Sequence, residues 1–409
     1  MRRGAGRTRS IRTTQLARTG AVLGTAAALL AAAAGCSSSG SASGGGSSGG
    51  GSTAPTVTVG MLFPYSGPAA SYGALFNKAV QAGMEVVKDR YGTAFTLKTV
   101  QGDSQNTAQG ATTAMTALAT VDNAEVVLSS GTAPGLAAAP IAKRYDIPLI
   151  NGSAADPKLA DSSGAIINLA PLANQQVAPL IPYAVNTKGL KRIAIIHTTD
   201  ELGDTLDTQV AAATTAAGGT VVANLSVSPD LTNFAAQAAL IAPKHPDAIY
   251  LADSVGVVQY EPIYRQFRAA GLNQTILGFN ALHVPQVMSL PGVSGTLLVD
   301  QVINLKASNW ATSDFATAWA AIDPSVQPTS YIVNYANAII LIGEAVHALL
   351  QAHQSVSGKS IQSELHSISP ATAIGGTITI SAQGTTNVQL GVYELTGSGQ
   401  SQVVQTVSG

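Results

Sequence analysis

The chain contains one cysteine in 409 residues, and only 11% of its side chains are charged. A single cysteine excludes an intramolecular disulfide, so the fold must be held together by burial alone. Lysine and arginine form no cluster after residue 20, whereas nucleic acids and anionic lipid surfaces both recruit such clusters. We therefore expect no nucleic-acid partner.

Histidine is also scarce, and the motifs of common enzymes are missing. No two of the six histidines have the H-E-x-x-H spacing of a metal pair on one helix face. No G-x-S-x-G elbow, Walker loop or G-x-G-x-x-G motif follows a predicted strand. His197 ends a predicted strand, where a lone histidine is more often a hydrogen-bonded structural residue than a base. We expect no enzyme activity, no metal and no cofactor.

The amino-terminal segment is typical of a bacterial lipoprotein signal. Residues 1–20 hold six arginines and no acid, residues 21–34 are almost wholly apolar, and small side chains precede Cys36. The apolar run is shorter than the roughly 20 residues that span a bilayer. We predict that residues 1–35 are removed and that lipid on Cys36 anchors the exported protein to the outer face of the cell membrane. The alternative is cleavage by an ordinary signal peptidase, which leaves a free thiol.

Removal of this signal changes the charge and exposes a linker. Six of the 21 basic residues are removed with it, so the mature chain has 15 basic and 22 acidic side chains and a formal charge of −7. Residues 36–55 are rich in glycine and serine and have too few apolar side chains to fold, so we predict a flexible tether.

From Val57 onward, short β-branched runs alternate with stretches of helical period. The predicted strands are 57–63, 95–101, 125–130, 147–151, 192–197, 220–227, 247–252 and 275–279; the predicted helices are 73–90, 107–120, 134–145, 173–186, 202–217, 233–241 and 257–270. This alternation predicts an α/β protein with parallel sheets, right-handed crossovers and helices on both faces. After residue 300 the pattern changes to two helices, 313–321 and 331–351. TAIGGTITI (372–380) and VQLGVYEL (388–395) follow, and we expect them to pair as strands.

Four segments, taken in order, resemble the type I periplasmic binding proteins of the leucine/isoleucine/valine-binding group. They are VTVGMLFPYSGPAASYG (57–73), QGDSQNTAQGATTAMTAL (101–118), LSSGTAPGLAAAPIAKRYDIPLINGSAADPKL (128–159) and KRIAIIHTTDELGD (191–204). Asp103 follows the second strand, as in that family. The likeness covers nearly all of 57–396 and depends on the order and spacing of these segments.

The resemblance implies a two-lobed type I periplasmic-binding-protein fold with a three-strand hinge. Matching the family's turns places the three crossings near Leu172, Gln301 and Val388. Predicted lobe one comprises 56–172 and 301–388, and predicted lobe two comprises 173–300 and 389–409. A small solute is expected in the cleft between the lobes, outside the carboxyl ends of the strands.

In lobe one, the residues after the third strand suit a carboxylate. Ser130, Gly131 and Thr132 lead into a helix that we expect Pro134 to open, and a helix amino terminus beside a hydroxyl favours an anion. Thr132 falls on the hydroxyl with which the family binds the ligand's carboxylate. The alternative is that Thr132 only caps its helix.

Two further features of lobe one match the family. The loop containing Ser153, Ala154 and Ala155 corresponds to its second ligand loop. The family usually has threonine at the Ala155 position, so Ser153 is the candidate substitute hydroxyl; the alternative is an ordinary polar turn. Tyr72 matches the aromatic that lies over the ligand, with a packing tyrosine as the alternative.

Lobe two departs from the amino-acid binders of the family. Leu202 and Ser254 stand where those proteins have aromatics, and Asn280 stands where they have a glutamate that pairs with the ligand's ammonium. Loss of such a charge-assisted bond is worth roughly 1.5–3 kcal/mol. Asp253 replaces the glutamate if it points into the cleft; the alternative, which the sequence favours slightly, is a strand-end cap that faces solvent. Otherwise the ligand lacks an α-amino group.

The sequence thus predicts an extracytoplasmic substrate-binding lipoprotein of an ABC importer of the branched-chain amino acid type. Its partners would be ABC permease subunits and a small amino acid, carboxylate or amide. The alternative is a ligand-sensing receptor of the same fold that acts on a signalling partner. Hinge closure around a ligand serves both functions.

Overall fold

The computed structural model of the chain describes residues 54–160, 165–252 and 257–407. The predicted signal peptide, Cys36, nearly all of the tether, Asp253 and Ser254 lie outside these ranges.

The first part of the chain forms a five-stranded parallel sheet in the order β2-β1-β3-β4-β5. Its strands are β1 (Thr56–Phe63), β2 (Thr96–Asp103), β3 (Val126–Ser129), β4 (Leu149–Asn151) and β5 (Ile166–Asn168). The helices that follow the first three strands are α1 (Ala70–Tyr91), α2 (Ala108–Thr120) and α3 (Thr132–Arg144). Every residue of β3 is buried, as expected for a strand in a sheet that is covered on both faces.

Helices cover both faces of this sheet. On one face, Leu62 and Leu149 share a core with Met115 and Leu118 of α2. On the other face, α1 packs along a helix from late in the chain, α10 (Ser330–Gln351), because both helices present continuous apolar stripes. Among the described helices, α10 alone is long and apolar enough to cross a membrane, but 83% of its most apolar stretch is buried inside the protein. Its composition therefore suits a core helix.

The second sheet repeats this strand order and adds an antiparallel pair. Its order is β7-β6-β8-β9-β10-β13-β14, with β13 and β14 antiparallel to their neighbours. Its strands are β6 (Arg192–Thr198), β7 (Thr220–Val227), β8 (Ala248–Ala252), β9 (Thr275–Gly278), β10 (Leu297–Gln301), β13 (Leu390–Gly397) and β14 (Gln400–Val407). The helices within this part are α4 (Ala173–Pro182), α5 (Glu201–Ala216), α6 (Ala235–Ile241), α7 (Val257–Ala269) and α8 (Pro285–Met288). The predicted two-lobed α/β fold is confirmed.

The chain passes between the two sheets at three places. It leaves the first sheet after Asn168, leaves the second after Gln301, and re-enters the second at Leu390. Between the last two points lie α9 (Trp310–Ile322), α10, α11 (Gly358–Ser367), β11 (Ala371–Ala373) and β12 (Gly376–Ile378). Gln301 ties two crossings together, because its side-chain amide donates to the Leu169 carbonyl at 2.6 Å. The lobe boundaries themselves remain predictions.

Part of the predicted carboxyl-terminal organisation is wrong. TAIGGTITI does not pair with VQLGVYEL; it folds back on itself as β11 and β12, because Gly375 and Gly376 adopt positive φ and turn the chain. VQLGVYEL lies instead between β10 and β14. Strands β5, β10 and β14 and helices α8 and α11 were not predicted. β14 (QSQVVQTV) pairs with β13 alone, and its mostly polar sequence gives little strand signal.

A buried histidine joins the antiparallel pair to the parallel part of the second sheet. His283 Nδ1 lies 2.7 Å from Asp300 Oδ2 on β10, and its Nε2 lies 2.8 Å from Ser401 Oγ on β14. The ring also packs on Tyr393 of β13, with centroids 4.5 Å apart. The order of these three polar groups resembles a hydrolase triad, but none of them lines the cavity described below. They therefore cross-link three segments of the sheet.

Replacement of His283 by alanine should leave the fully buried Asp300 side chain without this partner. We expect the free energy of unfolding to fall by about 2 kcal/mol, measured by urea denaturation. Ser401→Ala is the matched control, because it removes only the outer hydroxyl and should cost about 1 kcal/mol or less. Equal losses in the two variants would contradict the buried cross-link.

Candidate ligand-binding site

A cavity of about 370 Å³ lies where the carboxyl ends of strands from both sheets meet. The first sheet contributes residues that follow β1, β2, β3 and β4; the second contributes residues that follow β6, β7 and β9. In each sheet the strand order reverses beside the first strand, between β1 and β3 and between β6 and β8. Ligands of open α/β sheets bind at such reversal points, so this cavity is the candidate site.

The amino terminus of α3 supplies the polar end of the cavity. Gly131 precedes the helix with a φ of +79°, and a side chain there would come within 2.5 Å of Asn106 Oδ1. Only glycine combines that backbone angle with that close approach. The turn directs Ser130, Gly131 and Thr132 into the cavity, as the sequence predicted for the loop.

Thr132 does not cap its helix. The helix begins at Thr132 itself, two residues before the predicted start at Pro134, and its N-cap is Gly131. The Thr132 side chain is only 6% exposed, and its Oγ1 has no hydrogen-bond partner among the described residues. A buried hydroxyl without a partner is costly unless a ligand or water completes it.

Two backbone amides accompany that hydroxyl. The first amides of a helix have no partner within it. Pro134 has no N–H, and the Gly135 N–H donates to the Gly131 carbonyl at 3.0 Å. The amides of Thr132 and Ala133 therefore remain to meet an anion, at the positive end of a 13-residue helix.

Tyr335 of α10 fixes the loops on either side of this group. Its hydroxyl donates to the Ser129 carbonyl at 2.9 Å and lies 2.9 Å from Ser153 Oγ. Because the tyrosine proton is used on Ser129, the Ser153 hydroxyl must donate to Tyr335. Ser153 lines the cavity as predicted, but it offers a ligand an acceptor rather than a proton. Burial raises the pKa of Tyr335, so its hydroxyl stays neutral.

Asp103 holds the loop after β1 in place. Its carboxylate accepts from the backbone N–H groups of Tyr65 and Gln105, both at 2.9 Å, and from Ser66 Oγ. Burial alone would raise the pKa of Asp103, but these hydrogen bonds lower it below its ordinary value. Pro64 of the same loop lines the cavity.

Three aromatic rings form one wall of the cavity. Tyr72 and Phe76 lie one turn apart on α1, with centroids separated by 5.9 Å, and Tyr331 of α10 lies 6.4 and 6.0 Å from them. Tyr72 was predicted from the sequence. Phe76 follows from the i, i+4 spacing to Tyr72, but no local signal connects α1 with Tyr331.

The opposite wall comes from the second sheet. Leu202 lines the cavity at the start of α5, as predicted, together with Phe279 after β9. Asp200 and Glu201 also line it and were not predicted. The Asp200 side chain accepts from the Gly203 N–H at 2.9 Å and caps α5.

Several predicted contacts are not made within the described residues. Ala154 lines the cavity, but Ala155 does not; it is fully buried, and its carbonyl accepts from the Ala173 N–H. Asn280 is also fully buried behind the wall, because the Gln176 side chain holds its backbone N–H at 2.9 Å. Its Oδ1 accepts from the Tyr331 hydroxyl at 3.3 Å. The described residues contain no cluster suited to a metal ion.

Two contacts join the loop after β4 to α5 across the mouth of the cavity. Thr205 Oγ1 donates to Asp156 Oδ2 at 2.8 Å, and Lys158 Nζ lies 2.6 Å from Glu201 Oε1. Asp156 is fully buried, whereas the Lys158–Glu201 pair is exposed to solvent. Exposed pairs contribute little, so the Asp156–Thr205 bond is the stronger link between the two sides. We call these two contacts the cross-cleft clamp.

Thr205→Val should weaken the cross-cleft clamp with little change of side-chain volume. If closure and ligand binding are coupled, loss of about 1 kcal/mol from the closed state lowers ligand affinity about fivefold. Isothermal titration calorimetry measures this change in ligand affinity. Thr208→Val on the exposed side of the same helix is the control, and an equal effect of the two substitutions would contradict the clamp.

The model of the family described as periplasmic binding protein matches residues 56–400. Among solved structures, the leucine-binding protein LivK of Thermotoga maritima is 18% identical, with a TM-score of 0.75 over 86% of this chain and 99% of its own. LivJ of Streptococcus pneumoniae, solved with isoleucine, is 18% identical, with a TM-score of 0.74 over 86% of this chain and 99% of its own. A solute-binding protein of R. palustris, solved with benzoate, is 19% identical, with a TM-score of 0.73 over 86% of this chain and 96% of its own. No curated protein sequence matches the chain significantly.

Proposed function

The chain belongs to the periplasmic binding protein family, and on that premise we propose that it is the solute receptor of an ABC importer, closing over a small carboxylate-bearing ligand. Members of this family are exported binding proteins rather than enzymes. We infer the partnership with permease subunits from proteins of the same fold that are substrate-binding proteins of transporters.

One observation carries the proposal: a buried hydroxyl without a partner, Thr132 Oγ1, lies beside two helix-terminal amides inside a cavity. These three donors match a carboxylate, and the positive end of α3 favours its charge. The cavity is lined from both lobes, so a ligand in it would stabilise the closed form by contacting each of them.

A thermal-shift screen of amino acids and of aliphatic and aromatic carboxylates tests ligand binding. A ligand at 100 times its dissociation constant adds about 2.7 kcal/mol to stability and raises Tm. With the best ligand, Thr132→Ala should lower affinity about tenfold, because a hydrogen bond to a charged group is worth about 1.5 kcal/mol or more.

Thr132→Ser retains the hydroxyl and is the matched control, which should bind nearly as well as the natural chain. Equal affinity of the alanine variant and the natural protein would remove Thr132 from the anion site. A folded protein that no member of the screen stabilises would overturn the receptor function itself.

We also propose that lipid on Cys36 anchors the mature protein at the outer face of the cell membrane. The sequence pattern around Cys36 supports this, since two acyl chains give the stable anchoring that one does not. The glycine-serine segment 37–55 would then tether the receptor near its permease.

Cys36→Ser should release the protein from the membrane while leaving its fold and ligand affinity unchanged. Cell fractionation followed by immunoblotting measures the distribution, with incorporation of labelled palmitate into the natural chain as the positive control. A serine variant that stays in the membrane fraction would contradict the lipid anchor.

A further inference from the structure

The charged groups around the cavity restrict the ligand to a single negative charge. Among the described residues, no lysine, arginine or histidine side chain lines the cavity. The positive end comes only from α3, where the donors are neutral groups: the amides of Thr132 and Ala133 and the buried hydroxyls of Thr132 and Ser130. Neutral donors at one helix terminus suit the single charge of one carboxylate. A phosphate or a second carboxylate would lie without a counter-charge in a partly dehydrated site.

The acidic side chains in the lining are already engaged. Asp200 caps α5 through the Gly203 N–H, and Glu201 holds Lys158 of the cross-cleft clamp. Asp230 lies exposed at the rim, where water and salt screen its charge. Among the acidic side chains that the structure describes, an ammonium group on the ligand would therefore have to break an existing contact or reach out to solvent.

Asn280 lies behind the cavity wall, and its side chain provides no free acceptor for an ammonium. Its Oδ1 is occupied by the Tyr331 hydroxyl, and its Nδ2 is a buried donor without a partner among the described residues. Burial raises the pKa of Tyr331 well above its ordinary value, so Tyr331 also stays protonated and supplies no negative charge. The nearest carboxylate behind Tyr331 among the described residues is Asp300, whose charge also raises the pKa of Tyr331. It is fully buried and already bound to His283 Nδ1, so it is not free to pair with an ammonium in the cavity.

The remaining lining suits a flat apolar body. Tyr72, Phe76 and Tyr331 present ring surface from lobe one, and Leu202 and Phe279 face them from lobe two. Aromatic ligands gain both apolar burial and edge or offset contacts with such rings. A cavity of about 370 Å³ holds one substituted ring, within the usual range for small-molecule sites.

We propose that the ligand is an aromatic monocarboxylate that lacks an ammonium group, its carboxylate at the amino terminus of α3 and its ring against the Tyr72–Phe76–Tyr331 wall. This inference rests on the proposed receptor function and names its substrate class.

Matched ligand pairs test the substrate class by isothermal titration of the natural chain. 3-Phenylpropionate and phenylalanine differ only by the ammonium group, as do 4-methylpentanoate and leucine. We expect the ammonium-free member of each pair to bind at least tenfold more tightly. Benzoate should likewise bind more tightly than cyclohexanecarboxylate, which has the same carboxylate on a saturated ring.

The outcomes separate the two levels of the proposal. Tighter binding of phenylalanine or leucine would overturn the absence of an ammonium while leaving a working receptor. Equal binding of benzoate and cyclohexanecarboxylate would overturn the aromatic preference. If none of these acids binds to the folded protein, the carboxylate receptor function fails as well.

Asn280→Asp tests the origin of the discrimination, because it replaces the free donor by an acceptor of nearly the same shape. We expect the preference for 3-phenylpropionate over phenylalanine to fall at least threefold. Asn280→Leu is the control: it has nearly the same volume and introduces no acceptor or charge, so the preference should persist. An unchanged ratio in a folded Asn280→Asp protein would remove Asn280 from the selection.

Discussion

Unsatisfied donors at the start of α3 are the constraint on which the site depends. A protein interior rarely leaves a hydroxyl and helix amides unpaired, since each such group costs about 1–3 kcal/mol when no partner replaces water. Here the surroundings maintain that arrangement. Gly131 provides a turn that no other residue accommodates, and Tyr335 binds the neighbouring loops to α10. The cavity is polar at one end because the fold prevents internal pairing there.

The second lobe faces this polar end with a different set of side chains. The strand order of the first sheet recurs in the second, so loops of equivalent position face each other across the cavity. Their chemistry differs. Lobe one presents donors and rings, whereas lobe two presents Leu202, Phe279 and carboxylates that are committed to a helix cap and to Lys158. The two halves thus share geometry but differ in the side chains that they present to the cavity.

The site in lobe one could be predicted in larger part than the site in lobe two, for physical reasons. Ser130, Gly131, Thr132 and Ser153 follow strands within contiguous motifs, and parallel strands bring their carboxyl ends together. Tyr331 lies on a helix about 200 residues downstream of those motifs, and Asn280 is held outside the cavity lining by the hydrogen bond from its backbone N–H to Gln176. Neither contact is visible as a local sequence pattern. Likewise, the alternation of strands and helices predicts parallel sheets. It does not predict the partner of β13, because the glycine turn at Gly375 and Gly376 pairs β11 with β12 and leaves β13 to pair elsewhere.

The cross-cleft clamp has a consequence for a protein that works outside the cell. The Lys158–Glu201 pair is exposed, so screening by salt weakens its small contribution as the ionic strength of the surroundings rises. The Asp156–Thr205 bond joins a neutral hydroxyl to a fully buried side chain and is largely insensitive to that screening. The two sides of the cleft are consequently joined by one contact that weakens with rising ionic strength and one that does not, so part of the link persists in a saline medium outside the cell.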